Sequence, residues 1–267
     1  MVSTNAMRLG ILRINMKIRI ANREDYDRLI SLSQEEGWNY ELKDFLIMER
    51  SGCSKTLVAE HEGIIGMITL FDYGEIGWIS NLLVDKRWRK IGMGRSLLME
   101  GIRMLGKKKT IALFSTQESL PFYLKNGLAI DRDLYFVKFL GGLEGSVKKG
   151  GWSESIERMD RLCFGYRRGP LLRLLAESGS VVYPKDADGF AIIRPDKMES
   201  SVGPVVCDDN DFLYSAMSLL GTGSTAVTPY PNPRFAEIIF KVTLMYLGDK
   251  PKIDYNRAQA FAGLEYG

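Results

Sequence analysis

The chemistry-bearing residues of this 267-residue chain crowd into one stretch, Val84-Asp85-Lys86-Arg87-Trp88-Arg89-Lys90-Ile91-Gly92-Met93-Gly94-Arg95. An apolar run ends at Val84, a basic turn with two glycines follows, and an amphipathic helix begins near Gly94. Glycines let a backbone approach a ligand closely, and consecutive turn amides beside a helix N-terminus attract an anion. From Lys86 to Lys109, nine Lys or Arg residues stand against one acid, Glu100, although the whole chain carries only +3. That local excess predicts a phosphate-bearing partner, a nucleotide cofactor or a nucleic acid.

Residue counts exclude several other chemistries. The one histidine, His61, sits in the polar turn Glu60-His61-Glu62-Gly63, so neither a His cluster for a metal nor an HExxH helix exists. A Ser-His-Asp hydrolase would rest on that residue alone, which reads better as a solvated hairpin residue. Cys53, Cys163 and Cys207 are odd in number and scattered, which fits no disulfide framework and predicts a reduced, cytoplasmic protein. A composition of 45% hydrophobic and 26% charged residues supplies a real core and excludes a disordered or fibrous chain. No apolar run reaches the ~20 residues of a membrane span. The first residues lack a signal-peptide pattern, and Met1 to Asn15 read as a flexible lead-in. Lys107-Lys108-Lys109 and Lys148-Lys149 lack interleaved aromatics, which argues against a nucleic-acid surface.

The elements around the turn follow from periodicity. Lys17 to Ala21 alternates as a strand, helical spacing follows from Asp25, and a second helix spans Glu41 to Arg50. Strands are predicted at 56–60, 64–71, 78–84, 110–114 and 134–140, with helices at 94–105 and 119–125. Gly141 to Gly151 holds five glycines in eleven residues, which is linker chemistry. Beyond it the order repeats in shortened form: helices at 153–161 and 171–178, strands at 181–183, 190–194 and 202–207, and a helix at 211–220. A strand at 225–228, a short helix at 234–238 and a strand at 242–247 complete it. The predicted class is α/β, an α+β mixed sheet with helices packed on it and a smaller second half.

Trp78-Ile-Ser-Asn-Leu82-Leu83-Val84, then Arg89-x-x-Gly92-x-Gly94, then Phe122-Tyr123-Leu-Lys125-Asn-Gly127-Leu128 together resemble the GNAT superfamily of acyl-CoA-dependent N-acyltransferases. The resemblance covers roughly residues 17–140 and implies acetyl-CoA as cosubstrate, with no metal. It implies that the strand at Leu82 and Leu83 bulges and splays from the strand at Ile111 to Phe114. The pantetheine arm would lie in that gap against Leu82, Leu83 and Val84. The amides of Arg89, Lys90, Ile91, Gly92, Met93 and Gly94 would wrap the pyrophosphate, with Arg89, Lys90 and Arg95 meeting its oxygens and Gln117 in place of the family asparagine. The Leu82 amide would hold the developing oxyanion, and Tyr123 would protonate the departing thiolate.

One position departs from the pattern. Where the family often places a glutamate general base, this chain has Trp78. Glu75 acting through water, a relay through Ser80 or Asn81, and an amine that arrives neutral stay open. Asp160-x-x-x-Phe164-Gly165-x-x-Arg168 resembles the opening of a carboxy-terminal domain found in some GNAT proteins. The expected organisation is an acetyltransferase domain at 17–140, a Gly-rich linker at 141–151, and a degenerate GNAT-like domain at 152–267 shaping the acceptor site. The second domain lacks the basic turn, because its strand at 202–207 runs into Asp208-Asp209-Asn210. The expected function is transfer of an acetyl group from acetyl-CoA to a primary amine of a small molecule, by direct attack in a ternary complex. The alternative is a non-catalytic CoA-binding sensor or scaffold. Neither a nucleic-acid nor a membrane partner is expected, and the acceptor and the oligomeric state are not readable from the sequence.

Overall fold

The computed structural model describes residues 16–143, 147–209 and 211–267, so the lead-in at Met1 to Asn15 lies outside the described residues. β1 (Lys17–Ile20), β2 (Ser54–Glu60), β3 (Ile64–Tyr73) and β4 (Ile76–Val84) form an antiparallel run. Helices α1 (Tyr26–Gln34) and α2 (Leu42–Arg50) link β1 to β2. A capping box opens α2 and another opens the 3-10 turn Arg23–Asp25 that leads into α1: Asp44 accepts from the Glu41 amide at 2.8 Å, and the Asp25 carboxylate from the Asn22 amide at 2.7 Å. Tyr26, Leu29 and Leu32 of α1 keep helical spacing and bury against Phe45, Val58, Met67 and Leu83.

Helix α3 (Met93–Leu105) crosses to β5 (Thr110–Thr116), which lies parallel to β4, and α4 (Leu120–Lys125) leads to β6 (Ala129–Phe139). The second half contains β7 (Val147–Gly150), α5 (Glu154–Phe164), α6 (Gly169–Glu177), β8 (Ser180–Pro184), β9 (Gly189–Arg194) and β10 (Ser201–Cys207). It continues with α7 (Phe212–Ser218), β11 (Thr225–Thr228), β12 (Ala236–Gly248) and β13 (Ala258–Ala260). The sheet path runs β1-β2-β3-β4-β5-β12-β6-β11-β10-β9-β8-β7.

That order exchanges one strand between the halves. β12 pairs antiparallel with β5 from Val242–Thr116 to Gly248–Thr110, while β6 pairs antiparallel with β11 from Lys138–Thr225 to Tyr135–Thr228. β6 and β12 pair with each other from Phe139–Ala236 to Ala129–Tyr246. Side chains follow the backbone. Met245 of β12 packs with Ile79, Leu97 and Leu113, whereas Val137 and Phe139 of β6 pack with Val205, Phe212 and Ala226. Each half therefore completes its sheet and its core with a strand of the other.

Two expectations are corrected. Residues 234–238 do not form a helix: Ala236 onward belongs to β12, where β6 supplies the backbone partners and Phe240 stacks on Phe136 at 4.7 Å. The stretch expected as a linker at 141–151 contains β7, whose Val147 to Gly150 pair with Pro184 to Val181 at the sheet edge. β13 carries no sequence signal, since Ala-Gln-Ala is short and lacks β-branched residues.

Asp160 and Arg168 form a buried pair. The Arg168 Nε and one terminal nitrogen donate to the two Asp160 oxygens, both at 3.0 Å, and both side chains are 1% exposed. The other terminal nitrogen donates to the carbonyls of Tyr266, at 3.2 Å, and Gly267. The motif at 160–168 thus ties the end of the chain to α5. Burial pushes the Asp160 carboxyl up, and the two bonds from Arg168 offset part of that cost.

Two outcomes follow. Fragments 1–142 and 147–267 expressed apart should each lack cooperative thermal unfolding by circular dichroism, and should regain it when expressed together. A cooperative transition in either fragment alone would show that the exchanged strand is dispensable. Arg168→Leu leaves a buried carboxylate without its partner and should cost about 3–5 kcal/mol in chemical denaturation.

Candidate active site

The β3–β4 register pairs Met67 with Leu83 and Thr69 with Ser80, so Asn81 and Leu82 together oppose Ile68. This is a β-bulge, which bends the strand and re-aims its amides. Asn81 takes φ 52°, a left-handed conformation that asparagine tolerates. Its side-chain oxygen accepts from the Tyr40 hydroxyl at 2.7 Å, and its nitrogen donates to Thr69 at 3.3 Å. Parallel pairing between β4 and β5 ends at Ile79–Leu113. Ile111 to Leu113 are therefore still paired, and the gap opens only beyond them, between Ser80–Val84 and Phe114.

The turn after β4 is held by Asp85. Its buried carboxylate accepts from the Arg87 guanidinium at 2.7 and 3.1 Å and from the Arg87 amide at 3.0 Å, which brings it down to about 2. Gly92 follows at φ 97°, unfavourable for any residue with a Cβ, and α3 begins. The first backbone bond of the helix is Ser96 N–H to the Gly92 carbonyl, at 3.0 Å. Among the described residues the amides of Lys90, Ile91, Gly92, Met93, Gly94 and Arg95 have no backbone acceptor. Six adjacent free donors at a helix start suit an anion with several oxygens.

The basic side chains are less available than their count implies. The Arg89 side chain is engaged within the chain: its Nε donates to the Val84 carbonyl at 2.8 Å and its terminal nitrogen pairs with Glu36 at 2.7 Å. Lys86, Arg103, Lys108 and Lys109 pair with Glu36, Glu100, Asp72 and Glu75. At the turn, Lys90 has no ion pair among the described residues, and Arg95 bonds only the neutral Asn126, at 3.1 Å. Four acids outside this stretch, Glu36, Asp72, Glu75 and Asp85, thus balance half of the local excess.

Tyr123 lies in α4, 8% exposed and edge-on to Phe122 at 5.1 Å, in the cluster that includes Ile79, Leu97 and Leu128. Burial pushes its phenol well above the ordinary range, so it keeps its proton. Gln117 turns toward the second half: its amide donates to Thr243 of β12 at 3.1 Å, and Thr243 donates to Asp133 at 2.8 Å. Glu75 stands at the opposite end of β4 from Leu82, roughly 20 Å away at ~3.3 Å per residue. There it is exposed and pairs with Lys109 at 2.7 Å, which lowers its pKa, so it does not join the site. His61 packs edge-on to Trp88 at 4.8 Å. Among the described residues no group of three or more His, Cys, Asp or Glu could hold a metal, and the three cysteines are free.

The second half repeats the bulge and closes the gap. Val202 pairs with Ile193 and Val205 with Ala191, so Gly203 and Pro204 oppose Ile192. Beside this bulge lies β13, with Ala260 opposite Val205 and Ala258 opposite Val206. The Phe261 amide then donates to Val227 of β11 at 2.9 Å, so the segment bridges the two strands that would otherwise part. Gly203, at φ 155°, lies against the Phe261 carbonyl, where a Cβ would collide. The Gln259 side chain occupies the start of α7, accepting from the Leu213 amide at 3.0 Å and donating to the Cys207 carbonyl at 2.9 Å. The chain's own tail thus fills, in the second half, the space left open in the first.

Two models of the acetyltransferase (GNAT) domain match this chain, one over residues 52–127 and one over 156–227. The chain is similar to the uncharacterized N-acetyltransferase YitH of Bacillus subtilis, 22% identical over 217 residues, which are 76% of this chain and 77% of that protein. Its fold is similar to that of a candidate acetyltransferase from Pyrococcus horikoshii, with a TM-score of 0.81 at 18% identity, covering 94% of this chain and 96% of the other. A GCN5-related N-acetyltransferase of Sphaerobacter thermophilus aligns with a TM-score of 0.56 at 13% identity, over 91% and 98% of the two chains.

The free amides make a direct test. A Cβ on Gly94 would stand 3.8 Å from Phe122 and from Val84, an ordinary contact, so Gly94→Val should fold. Its branched side chain would reach into the gap, and binding of a diphosphate-bearing ligand should weaken at least about 10-fold by calorimetry, with the melting temperature little changed. Undiminished binding would mean that the anion site lies elsewhere.

Proposed function

Because the chain belongs to the GNAT acetyltransferase family, with a domain of that family in each half, and is an acyltransferase, we propose that it moves an acetyl group from acetyl-CoA to a primary amine of a small molecule. The observation that carries this reading is the contrast between the two bulges. One opens on a free gap beside six unpaired amides, and the other is filled by β13. The first half, residues 17–140, is the cofactor half, and the second, residues 152–267, bounds the acceptor side.

Acetyl-CoA supplies a thioester, whose carbonyl accepts the nucleophile and whose sulfur leaves as a thiolate. The amides from Lys90 to Arg95 hold the diphosphate, with Lys90 and Arg95 as the available cations. The edge of Leu82, Leu83 and Val84 that β5 leaves unpaired bonds the pantetheine arm as a strand would. The bulge at Asn81 aims the Leu82 amide, which stabilises the carbonyl oxygen as negative charge grows on it. Tyr123 keeps its proton until sulfur charge develops and then donates it. The acceptor amine attacks directly within the ternary complex. Calorimetry with acetyl-CoA, followed by thiol release across a panel of amines, tests the reading. Wild-type chain that binds no acetyl-CoA would refute it.

Tyr123→Phe keeps the ring and removes the proton donor. Turnover should fall roughly 10²-fold, the low end for losing a general acid, while acetyl-CoA affinity stays unchanged. Because burial raises the phenol, the rate should show no falling alkaline limb up to pH of roughly 10, the ordinary phenol pKa. Equal turnover in variant and wild type would reduce Tyr123 to a packing residue.

A further inference from the structure

The position that would carry a general base on β4 is Trp78, fully buried, and its indole N–H donates to the main-chain carbonyl of Glu265 at 3.2 Å. Glu265 follows the segment that fills the second half's gap. The tail reaches the first half because Tyr73 donates to the Tyr266 carbonyl at 2.9 Å, Arg168 donates to the same carbonyl, and Arg194 donates to the Ala262 carbonyl at 2.6 Å. The main chain of an acidic residue is thereby fixed against the tip of the residue that stands in the base position, with its carboxylate 3.9 Å from Arg194.

We propose that Glu265, carried by the tail of the second half, takes the proton from the acceptor amine in the site of the first half. The assignment rests on the acetyltransferase reading above and names its missing base. The Glu265 side chain is one-fifth exposed, open enough to meet a substrate or a relaying water. Its charged and titratable surroundings come from four elements. Arg194 of β9 stands 3.9 Å away, Asp44 belongs to α2, Glu199 to the β9–β10 loop, and Tyr40 to the segment before α2, with Tyr266 adjacent in the chain. Burial and the two carboxylates raise the Glu265 pKa against the pull of Arg194, toward the range where a base both accepts and releases a proton. Tyr40 also holds Asn81, so the same group borders the carboxylate and the bulge that aims the Leu82 amide. On the Trp78 face of β4, between the indole and the bulge, the buried Ser80 hydroxyl has no partner among the described residues, which suits a water passing the proton.

The proton balance is closed. Glu265 takes one proton from the ammonium group, directly or through water, and frees the nitrogen lone pair. That pair forms the N–C bond, and the C–S bond breaks with its electrons on sulfur. Tyr123 gives sulfur its proton, the nitrogen's second proton returns to the phenol through water, and Glu265 releases its own to solvent.

The test uses the full chain with Glu265→Gln. Acetyl-CoA affinity by calorimetry should equal wild type, and turnover of a cationic amine at pH 7 should fall at least about 10²-fold. The variant's rate should then rise with pH as the amine itself deprotonates, and Glu265→Asp should recover part of the loss. With hydroxylamine, largely neutral at pH 7, the gap between variant and wild type should close, an effect that damaged packing would not produce. Independently of turnover, the 13C carboxyl signal lost in the variant should titrate above the ordinary glutamate range. Normal acetyl-CoA binding with wild-type turnover and pH profile would overturn the assignment alone, as would loss of the acid limb in Asp44→Asn but not in Glu265→Gln. Absence of acetyl-CoA binding by wild type would overturn the underlying reading, and the assignment with it.

Discussion

The pairing of β6 with β12 is the contact on which the rest depends. Through it each half receives the strand that finishes its sheet, and the residues those strands bury belong to the partner's core. A backbone ladder satisfies its donors and acceptors only when both strands are present, so neither half has a complete hydrogen-bond inventory alone. The exchange also sets the spacing between the two bulges, because β5, β12, β6 and β11 are the strands between β4 and β10. A tail leaving β12 can therefore thread the second gap and still reach Trp78 of the first.

Duplication of a bulged strand has led to opposite outcomes in the two halves. In the first, Asn81 and Leu82 bend β4 away from β5 and leave its inner edge unpaired. In the second, Gly203 and Pro204 bend β10, and Ala258 to Ala260 supply the missing partner. Unpaired backbone beside an apolar interior is costly unless something bonds it. One half meets that demand with its own chain, and in the other the unpaired edge is the place where we propose a ligand bonds. The acidic residues support the division: Asp208 is paired with Arg257 at 3.1 Å, at the place where the first half has its basic turn.

Charge is distributed by the same logic. Of the nine Lys and Arg residues after β4, four pair with acids far away in sequence and two with acids close by, while the main-chain amides of the turn stand without backbone partners. Backbone donors are fixed by the turn and need no side-chain ordering when a ligand arrives. The buried pair of Asp160 and Arg168 serves a different end. It is weak evidence for net stability, since desolvating two charges costs about what their attraction returns. Its visible role is positional, because the remaining Arg168 donor grips the carbonyls at 266 and 267 and so sets where Glu265 stands.

Much of this protein was written locally. The alternation in β2 to β4, the helical spacing of α1 and α3, the glycine turn and the family motifs are short-range patterns, and they specified the mixed α/β fold and the glycine turn between β4 and α3. What they could not carry is which strand pairs with which. Nothing in residues 236–248 says that they lie against β5 of the other half, since any strand with that alternation presents the same edge. The surroundings of Glu75 and Arg89 were not legible in the sequence, for one reason. Sequence proximity placed both near the turn, while long-range partners, Lys109 and Glu36, decided where their charge went. Glu265 escaped for the converse reason. It is a single acid at the end of a tail with no motif, brought to Trp78 only by the exchanged strands, the filled gap and the grip of Arg168. Backbone conformation is encoded by neighbours in the chain, whereas contacts between the two halves, such as that of Trp78 with the Glu265 carbonyl, exist only once the sheet has closed.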